Sequence, residues 1–574
     1  MPTISINKEY FYGLLGRKMT DQEFDDIVFD YGLETEEDTN KPENIKVELP
    51  ANRYDLLCVE GLALSLSQYL QTKPMPAFNC QPHQHTLTVE ESVKGVRPVG
   101  VSGIIRNVTF NEQAYNSFID LQDKLHHNLG RRRTLVSIGT HDYDKTKPPY
   151  RYAAKKPEDF AFVPLNQEKE MTGKELLAFY KEDLNLKAYV PIVENSDVIP
   201  LILDSAENIL SMPPIINSEL SKITLETKNI FIDITATDKT KALIALDVLL
   251  SSFSRYSATP FTFEQVKVVD AVDGDFICPQ VPLFKTMAIK HDYLNNVVSS
   301  KLSKQQVVEN LAKMGLVSRE KAEGLFEVDI PFYRSDVLHQ CDIGEDLAIA
   351  FGYNNIPFSE PEIVCTGRQN GLNKQMELMR AELAFSGFTE CLNFSLCSKE
   401  DLGARLLQDE DQNAVVIGNP KTKDFQVGRT TLLPGLLKTL ATNKKNKLPF
   451  KLFELGDVML LRDNASDQEN IGAVNRRKLA AVHTDSNSAS LDDIHGLLDM
   501  VMMKMFEGKL SYELKNGKKP YFLHQLQCEV HIKDKLVGEM GIVHPDVMKT
   551  AGIALPTSFI ELDFELLAEL RQAN

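Results

Sequence analysis

Four acidic side chains lie close together in residues 331–357, and together they could bind a metal ion. They are Asp336, Asp342, Glu345 and Asp346. A helix that starts near Asp342 would carry the last three on one face, because their offsets are zero, three and four. Asp336 lies on the preceding loop and could fold back toward them. Converging carboxylates suit a hard cation such as Mg²⁺, so a magnesium site is one interpretation of this spacing.

The same residues also have a purely structural interpretation, which the spacing alone favours. Asp342 and Glu345 would form a capping box at the start of the helix, where acidic side chains are stabilised by the helix dipole. Arg334 or solvent would then relieve the repulsion between the carboxylates. The residue pattern by itself therefore leaves a metal site and a capped helix both open.

Common catalytic motifs are absent from the sequence. It has no G-x-x-x-x-G-K-[ST] phosphate loop, no G-x-G-x-x-G that opens a helix, no G-x-S-x-G elbow and no H-E-x-x-H pair. The eight cysteines include no C-x-x-C, which disfavours a disulfide framework or a zinc site and is typical of a protein in the reducing cytoplasm. The residues alone thus name no nucleophile.

The net charge of −18 would repel a nucleic acid if it were spread evenly over the surface. Any contact with RNA must therefore come from local basic patches or from a partner. One patch is Arg131-Arg132-Arg133, which follows His126-His127 closely, and the other is Lys444-Lys445-Asn446-Lys447. The commoner interpretation of such short runs is a solvated loop, and contact with RNA is the alternative.

The order of helical and strand patterns predicts a multi-domain α/β and α+β protein, and a length of 574 residues suggests about four domains. The Pro- and His-rich stretch Lys73–His85 is predicted to be a linker. No apolar run reaches the roughly 18 residues that a membrane helix needs, and the first residues do not have the pattern of a signal peptide. A protein without a membrane anchor is expected. The predicted domains are residues 1–85, 86–280, 281–360 and 361–574.

The acidic segment closely resembles the magnesium-site domain of phenylalanyl-tRNA synthetase beta subunits. That family has the pattern R-x-D, then D-x-x-E-[ED], then G-Y. The corresponding residues here are Arg334-Ser-Asp336, Asp342-Ile-Gly-Glu345-Asp346 and Gly352-Tyr353. By this resemblance Asp336, Asp342, Glu345 and Asp346 are expected to bind Mg²⁺, with Asp346 in place of the commoner Glu.

Other segments resemble the same family in the same order along the chain. They are Asn52-Arg53-Tyr54-Asp55-Leu56-Leu57 with Gly61, Phe231–Thr240, Arg429–Leu437, Phe453-Glu454-Leu455-Gly456 and Gly541-Ile-Val-His544-Pro545. The chain has no room for the inserted OB fold and the C-terminal anticodon domain of bacterial members. The layout resembles the archaeal and eukaryotic cytosolic type.

The resemblance implies a fold and a role for each predicted domain. Residues 1–85 would form an N-terminal α/β domain, 86–280 an editing domain of the B-three/B-four type, and 281–360 a small helix-strand magnesium-site domain. Residues 361–574 would form an antiparallel-sheet domain of the class II synthetase type. This last domain is expected to be inert in adenylate formation, because it lacks the motif arginines that hold a pyrophosphate.

The implied function is that of the beta subunit of phenylalanine-tRNA ligase in the cytoplasm. A separate alpha subunit would bind phenylalanine and ATP, and the two would form an alpha2beta2 heterotetramer that charges the tRNA for phenylalanine. Two alternatives stay open. The chain could be a structural scaffold with an unused editing pocket, or a free-standing RNA-binding protein or deacylase that needs no partner.

The expected editing reaction is hydrolysis of mischarged tyrosyl-tRNA. The resemblance points to Asp233, Thr235 and Asp238 as pocket residues, with weaker indications for Ser211 and Asn217. Asp233 and Thr235 are two residues apart and would face the same side of a strand. The alternatives are that Thr235 is simply a good strand former and that Asp238 caps the next helix.

Overall fold

The computed structural model describes residues 2–38, 41–358, 360, 363, 365–462, 472–509 and 511–572. The chain forms two compact units, Met1–Pro361 and Glu362–Asn574. Several separate sheets and many helices are present, so the prediction of a mixed α/β multi-domain chain is confirmed at that level. Within the described residues, no helix is both long enough and apolar enough to cross a membrane.

The first unit begins with a small antiparallel sheet in the order β1-β3-β2 and three helices. Helix α2 starts where the sequence predicts, because Thr20 and Glu23 form a reciprocal capping box. The elements are β1 (Thr3–Asn7), α1 (Lys8–Leu15), α2 (Asp21–Asp30), β2 (Glu34–Glu37), β3 (Asn44–Glu48) and α3 (Val59–Tyr69).

A ten-stranded mixed sheet forms the middle of the first unit, in the order β12-β11-β10-β7-β4-β14-β5-β13-β6 with β15 paired to β14. The strands β8 and β9 pair separately. The elements are β4 (Asn79–Val89), β5 (Val99–Ile105), α4 (Glu112–His127), β6 (Val136–Asp142), β7 (Tyr150–Lys155), β8 (Ala161–Phe162), β9 (Met171–Thr172), α5 (Gly173–Lys181), β10 (Ile199–Leu203), β11 (Ile209–Met212), β12 (Ile216–Asn217), β13 (Ile230–Ala236), α6 (Lys239–Phe253), β14 (Thr262–Asp270) and β15 (Phe276–Cys278).

The predicted linker Lys73–His85 is wrong for its second half, because β4 begins at Asn79. This strand pairs in parallel with β14 and, further along, with β7. Most side chains at the start of β4 are exposed, and only Leu87 and Val89 are buried near its end. The strand is therefore held by hydrogen bonds to its neighbours, and the sequence shows no apolar alternation there.

The last part of the first unit is a three-stranded antiparallel sheet in the order β16-β18-β17, covered by helices. Helix α9 packs closely on α7, because a Cβ added at Gly344 would lie 2.8 Å from Cγ1 of Val297. The apolar core is continuous with that of the preceding sheets. The elements are β16 (Phe284–Lys290), α7 (His291–Val298), α8 (Lys304–Lys313), β17 (Val317–Ala322), β18 (Leu325–Pro331) and α9 (Gln340–Phe351).

The second unit contains a seven-stranded sheet in the order β19-β22-β23-β27-β26-β25-β24, antiparallel except for the pair β19–β22. Alternate residues of β22 enter different cores, with Phe453 on one face and Leu452 on the other. The elements are α10 (Gly371–Phe385), β19 (Thr389–Glu390), β20 (Leu396–Cys397), α11 (Lys399–Leu402), β21 (Val427–Gly428), α12 (Leu433–Thr442), β22 (Phe450–Leu461), β23 (Ala473–Thr484), α13 (Leu491–Phe506), β24 (Glu513–Asn516), β25 (Phe522–Ile532), β26 (Lys535–Val543), α14 (Pro545–Thr550), β27 (Thr557–Asp563) and α15 (Phe564–Gln572).

Candidate active site

A cavity of about 900 Å³ lies against the ten-stranded sheet, with walls from α4, β6, β11, β12 and β13. Its lining is mixed, with apolar side chains such as Ile138 and Ile215 beside polar ones. The carboxylate of Asp233 is in this wall and is almost completely buried. Burying a carboxylate is costly unless it is hydrogen-bonded. The partners of Asp233 therefore determine how its carboxylate is held in the cavity wall.

The partner of Asp233 is His141 on the neighbouring strand β6. Nε2 of His141 lies 2.6 Å from Oδ2 of Asp233, and Nδ1 of His141 lies 2.8 Å from Oγ of Ser221. Both contacts are short enough for hydrogen bonds, so His141 joins the Asp233 carboxylate to the Ser221 hydroxyl. The three groups resemble a Ser-His-Asp arrangement, but its carboxylate end faces the cavity. Ser221 is fully buried and cannot act as a nucleophile there.

Gly139 provides the space for this carboxylate. It lies opposite Asp233 in the pairing of β6 with β13. A Cβ added at Gly139 would lie only 2.2 Å from Oδ2 of Asp233. A side chain at position 139 would therefore occupy the place of the carboxylate, and the strand requires glycine at that position.

Ser211 and Asn217 lie in the same cavity wall as Asp233. They face each other in the pairing of β11 with β12. The Ser211 hydroxyl is buried and has no hydrogen-bond partner within the described part of the chain. Leaving such a group unsatisfied costs about 1–3 kcal/mol, so a polar ligand atom beside it would be favoured.

Thr235 and Asp238, both in described parts of the chain, lie outside the cavity wall. The Thr235 hydroxyl accepts a 3.2 Å hydrogen bond from Nε of Arg97. Asp238 caps α6, since it accepts from the amide of Lys241 at 3.1 Å and pairs with its ammonium at 2.6 Å. These bonds from Lys241 hold the pKa of Asp238 below its usual range. The structure thus brings Asp233, Ser211 and Asn217 together in one cavity wall. Thr235 and Asp238 are not part of that wall.

His126 also lines the cavity, but its Nε2 is already engaged. It accepts a 2.8 Å hydrogen bond from the amide of Ile138. Burial, together with the charge of Arg133, lowers the pKa of His126 well below its usual range. The neutral ring is therefore part of the wall, and this nitrogen is not free to take a proton from a ligand.

Sequence reasoning missed Gly139, His141, Ser221 and Arg97. His141 lies 92 positions from Asp233 along the chain, and no local pattern links them. The only local signal is the alternation in β6, which places Gly139 and His141 on the same face two residues apart.

Three of the four predicted metal ligands, Asp336, Asp342 and Asp346, have protein partners that limit their capacity for a cation. Nη2 of Arg334 lies 2.8 Å from Asp336 and 2.7 Å from Asp346, and all three side chains are buried. Arg53, which pairs with Asp55 at 2.9 Å, lies 3.9 Å from Asp336. Burial and the charge of Arg53 oppose protonation of Arg334, but Asp346 and Asp336 outweigh them and hold the pKa of Arg334 above its usual range.

Asp342 acts at the start of α9, which begins two residues earlier than predicted. Its carboxylate accepts from the amides of Leu338 and His339, each at 2.8 Å. The capping box therefore joins His339 with Asp342, and the predicted pair of Asp342 with Glu345 is wrong. Glu345 itself is exposed. The helix begins earlier because the backbone of His339 is extended, which is the conformation that an N-cap residue adopts.

These side chains, as they are arranged, do not fit a magnesium ion. In the described residues, no group of three or more His, Cys, Asp or Glu side chains is placed to hold a metal. Mg²⁺ needs several oxygen ligands in a near-octahedral arrangement, whereas two of the four carboxylates here are neutralised by Arg334. Magnesium at this cluster stays a prediction.

Two motif residues of the second unit, Arg429 and Glu454, pair with each other. Nη1 of Arg429 lies 2.6 Å from Glu454, and a Cβ at Gly456 would lie 2.9 Å from Nη2 of Arg429. On the adjacent strand, Arg477 pairs with Asp457 at 2.5 Å, and other basic residues of this sheet pair in the same way, Arg476 with Asp563 and Lys478 with Glu561. The charge of these side chains is thus already neutralised by carboxylates.

Four families of protein domain match the chain. They are the Phe-tRNA synthetase beta subunit B1 domain over residues 1–72, the B3/4 domain over 93–256, the tRNA synthetase B5 domain over 287–353 and the phenylalanyl tRNA synthetase beta chain CLM domain over 356–564. The cavity with Asp233 falls in the B3/4 match, and the acidic cluster falls in the B5 match.

Known proteins are similar over nearly the whole length. The phenylalanine–tRNA ligase beta subunit of Homo sapiens is 41% identical, with 98% of this chain and 99% of the relative covered. The cytoplasmic beta subunit of Arabidopsis thaliana is 38% identical, with 99% and 100% covered. Among solved structures, an N-terminal fragment of the phenylalanyl-tRNA synthetase beta subunit from Pyrococcus horikoshii is 31% identical. It has a TM-score of 0.56 and covers 61% of this chain and 99% of the fragment.

Proposed function

The chain belongs to the family of phenylalanine–tRNA ligase beta subunits of eukaryotic type, and from this premise we propose that it is the non-synthetic subunit of that enzyme. A separate alpha subunit binds phenylalanine and ATP, and an alpha2beta2 heterotetramer charges the tRNA for phenylalanine. The compartment is the cytoplasm, as in the name of the Arabidopsis relative.

The second unit is proposed to be inert in adenylate formation. A working site would hold the phosphates of ATP with unpaired cations. Here the Arg429, Arg477 and Lys478 side chains each lie within 3 Å of a carboxylate. An incoming pyrophosphate would have to displace those carboxylates, which supports a structural role for this unit beside the alpha subunit.

The first unit is proposed to hydrolyse mischarged tyrosyl-tRNA in the cavity at Asp233. An apolar pocket in the synthetic site rejects an added hydroxyl only weakly, by roughly 100-fold. A second site can recognise that hydroxyl through a hydrogen-bond acceptor and remove the wrong amino acid. In the reaction, water adds to the ester carbonyl, the bond to the ribose oxygen breaks, and that oxygen takes a proton while tyrosine leaves as the acid.

The observation that carries this proposal is the Asp233 carboxylate, which is held at the cavity wall by His141 at 2.6 Å. Its bond to His141 leaves the other lone pairs of the carboxylate free to accept from a phenol or from a water. The Ser211 hydroxyl in the same wall, which has no hydrogen-bond partner among the described residues, adds a further polar contact.

The experiment is charging of tRNA by the co-expressed complex in the presence of tyrosine. Asp233→Ala should let tyrosyl-tRNA accumulate, whereas phenylalanine charging should stay near wild type because synthesis takes place in the alpha subunit. Asp238→Ala is the matched control, because Asp238 caps a helix outside the cavity. Accumulation in the control alone, or in neither variant, would favour the alternative of a scaffold with an unused pocket.

Magnesium has no step in this proposal. Asp336, Asp342, Glu345 and Asp346 are the residues that would hold it, but Arg334 already neutralises two of them. The remaining alternative is a free-standing protein that works without an alpha subunit. It predicts that a pull-down of this chain from native lysate brings down no stoichiometric partner.

A further inference from the structure

Three consecutive arginines after α4 have left-handed backbone conformations. The φ angles of Arg131, Arg132 and Arg133 are 45°, 54° and 62°. Residues other than glycine rarely adopt this region, and a run of three is unfavourable for L-amino acids. Such strain persists only where the surroundings hold it in place, and it concentrates at binding and catalytic sites. We call residues 130–134 the arginine turn.

The arginine turn is held from within by the buried Arg97. Nη1 of Arg97 donates to the carbonyls of Arg133 and Thr134 at 3.1 and 3.2 Å. The amide of Arg133 donates to the His126 carbonyl at 3.2 Å, and the Thr134 hydroxyl donates to the Arg131 carbonyl at 2.7 Å. The conformation is therefore fixed by the fold and is not that of a freely solvated loop.

The arginine turn is also adjacent to the cavity. Arg133 lines the cavity wall, and it donates to the carbonyls of Pro214 and Ile215 at 3.2 and 3.0 Å. Its Nε is buried and has no hydrogen-bond partner among the described residues. Arg131 and Arg132 are exposed. These two side chains therefore lie on the outside of the turn, whereas Arg133 lies in the cavity wall.

The positive charges of this turn are not neutralised by neighbouring acids. Within the described chain, the side chains of Arg131, Arg132 and Arg133 have no carboxylate within ion-pair distance, and neither does the buried Arg97 behind them. Burial lowers the pKa of Arg133, although Tyr189 and Asp123 act in the opposite direction. Three uncompensated cations on one turn of a chain with net charge −18 indicate an anionic ligand.

We propose that the arginine turn binds the backbone phosphates of the single-stranded 3′ end of a tRNA whose aminoacyl ester occupies the neighbouring cavity. This inference rests on the proposed hydrolysis of that ester. When the ester lies beside Asp233, the nucleotides that precede it must leave across the cavity rim. Guanidinium groups match the geometry of phosphate oxygens, and Arg131 and Arg132 provide two of them beside the wall.

The test uses the complete complex with its alpha subunit and the double variant Arg131→Gln/Arg132→Gln. Both side chains are exposed, so the fold should be retained. The matched control is Lys444→Gln/Lys445→Gln, which removes the same charge from the other basic patch, in the second unit. Release of tyrosine from tyrosyl-tRNA is measured over a range of salt concentrations, beside release from a tyrosyl ester of adenosine that has no phosphate.

The double variant should raise the KM for tyrosyl-tRNA, and the control should not. A single-strand phosphate contact contributes about 0.7 to the slope of log affinity against log salt, so loss of two contacts should reduce its magnitude by about 1.4. Hydrolysis of the adenosine ester should be unchanged. A wild-type KM and salt slope in the double variant, or an equal loss on the adenosine ester, would overturn the inference.

Direct binding separates this inference from the proposed function. A fluorescent single-stranded RNA with the 3′ sequence of the tRNA is titrated into the same complexes. Weaker binding and a smaller salt slope in the double variant support the arginine turn as a phosphate site, even if the wild type releases no tyrosine and the hydrolytic function fails. Unchanged binding in the double variant overturns the arginine turn, even if hydrolysis is normal in the wild type.

Discussion

Replacement of Gly139 by alanine should disable the cavity without any change to its polar residues. The added Cβ would lie 2.2 Å from Oδ2 of Asp233 and 2.9 Å from its Cγ. Ordinary van der Waals contact begins near 3.4 Å, so the carboxylate must move by about 1 Å. Its 2.6 Å bond to His141 cannot survive such a movement within normal hydrogen-bond geometry.

The size of the effect follows from the bond that is lost. A hydrogen bond to a charged group contributes about 1.5–3 kcal/mol, which corresponds to a roughly ten- to hundred-fold change in rate. Tyrosine release from pre-charged tRNA should therefore slow by that factor in the Gly139→Ala complex. Phenylalanine charging should stay near wild type.

Gly103→Ala is the control for the same change in the same sheet. Gly103 lies on β5 and faces α6, where the three atoms nearest to the new Cβ would be methyl carbons of Leu246 and Leu250 at 3.2–3.5 Å. Release should stay near wild type in this variant. If Gly139→Ala also releases tyrosine at the wild-type rate, with an unchanged melting temperature, the carboxylate of Asp233 is not the recognition group.

Three further predictions concern other parts of the chain. The chain purified without its alpha subunit should show no ATP–pyrophosphate exchange, because Arg429, Arg477 and Lys478 are each paired with a carboxylate; measurable exchange would refute this. Thr235→Ala should slow tyrosine release less than Asp233→Ala does, because Thr235 bonds to Arg97 outside the cavity; equal losses would place Thr235 in the site. A chelator should leave the melting temperature unchanged, whereas Arg334→Met should lower it markedly, because breaking a buried ion pair costs about 3–5 kcal/mol. A chelator-dependent fall would show instead that a cation binds there.

The sequence allowed prediction where a local pattern decides the structure. The capping box at Thr20 and Glu23 is an example. Both partners lie within one helical turn, so their hydrogen bonds depend only on neighbouring residues. The prediction failed at β4, where the strand depends on hydrogen bonds to β14 and its first side chains are exposed. Backbone pairing of that kind leaves little trace in the pattern of side chains.

The candidate site shows the same division. Asp233, Ser211 and Asn217 were predicted from a resemblance to known proteins, and the fold brings all three to one cavity. His141 was not predicted, because its role depends on the pairing of two strands that are far apart in the sequence. At the acidic cluster, Arg334 was named as an alternative to a cation, but only the fold shows that it lies between two of the carboxylates.

The most direct test of the central claim is a single-turnover measurement with the wild-type complex and two pre-charged substrates, tyrosyl-tRNA and phenylalanyl-tRNA. Hydrolysis in the cavity at Asp233 predicts rapid release of tyrosine, slow release of phenylalanine, and loss of this difference in Asp233→Ala. Release of tyrosine at the rate of the enzyme-free control would contradict the claim and would leave this chain as a scaffold for its partner.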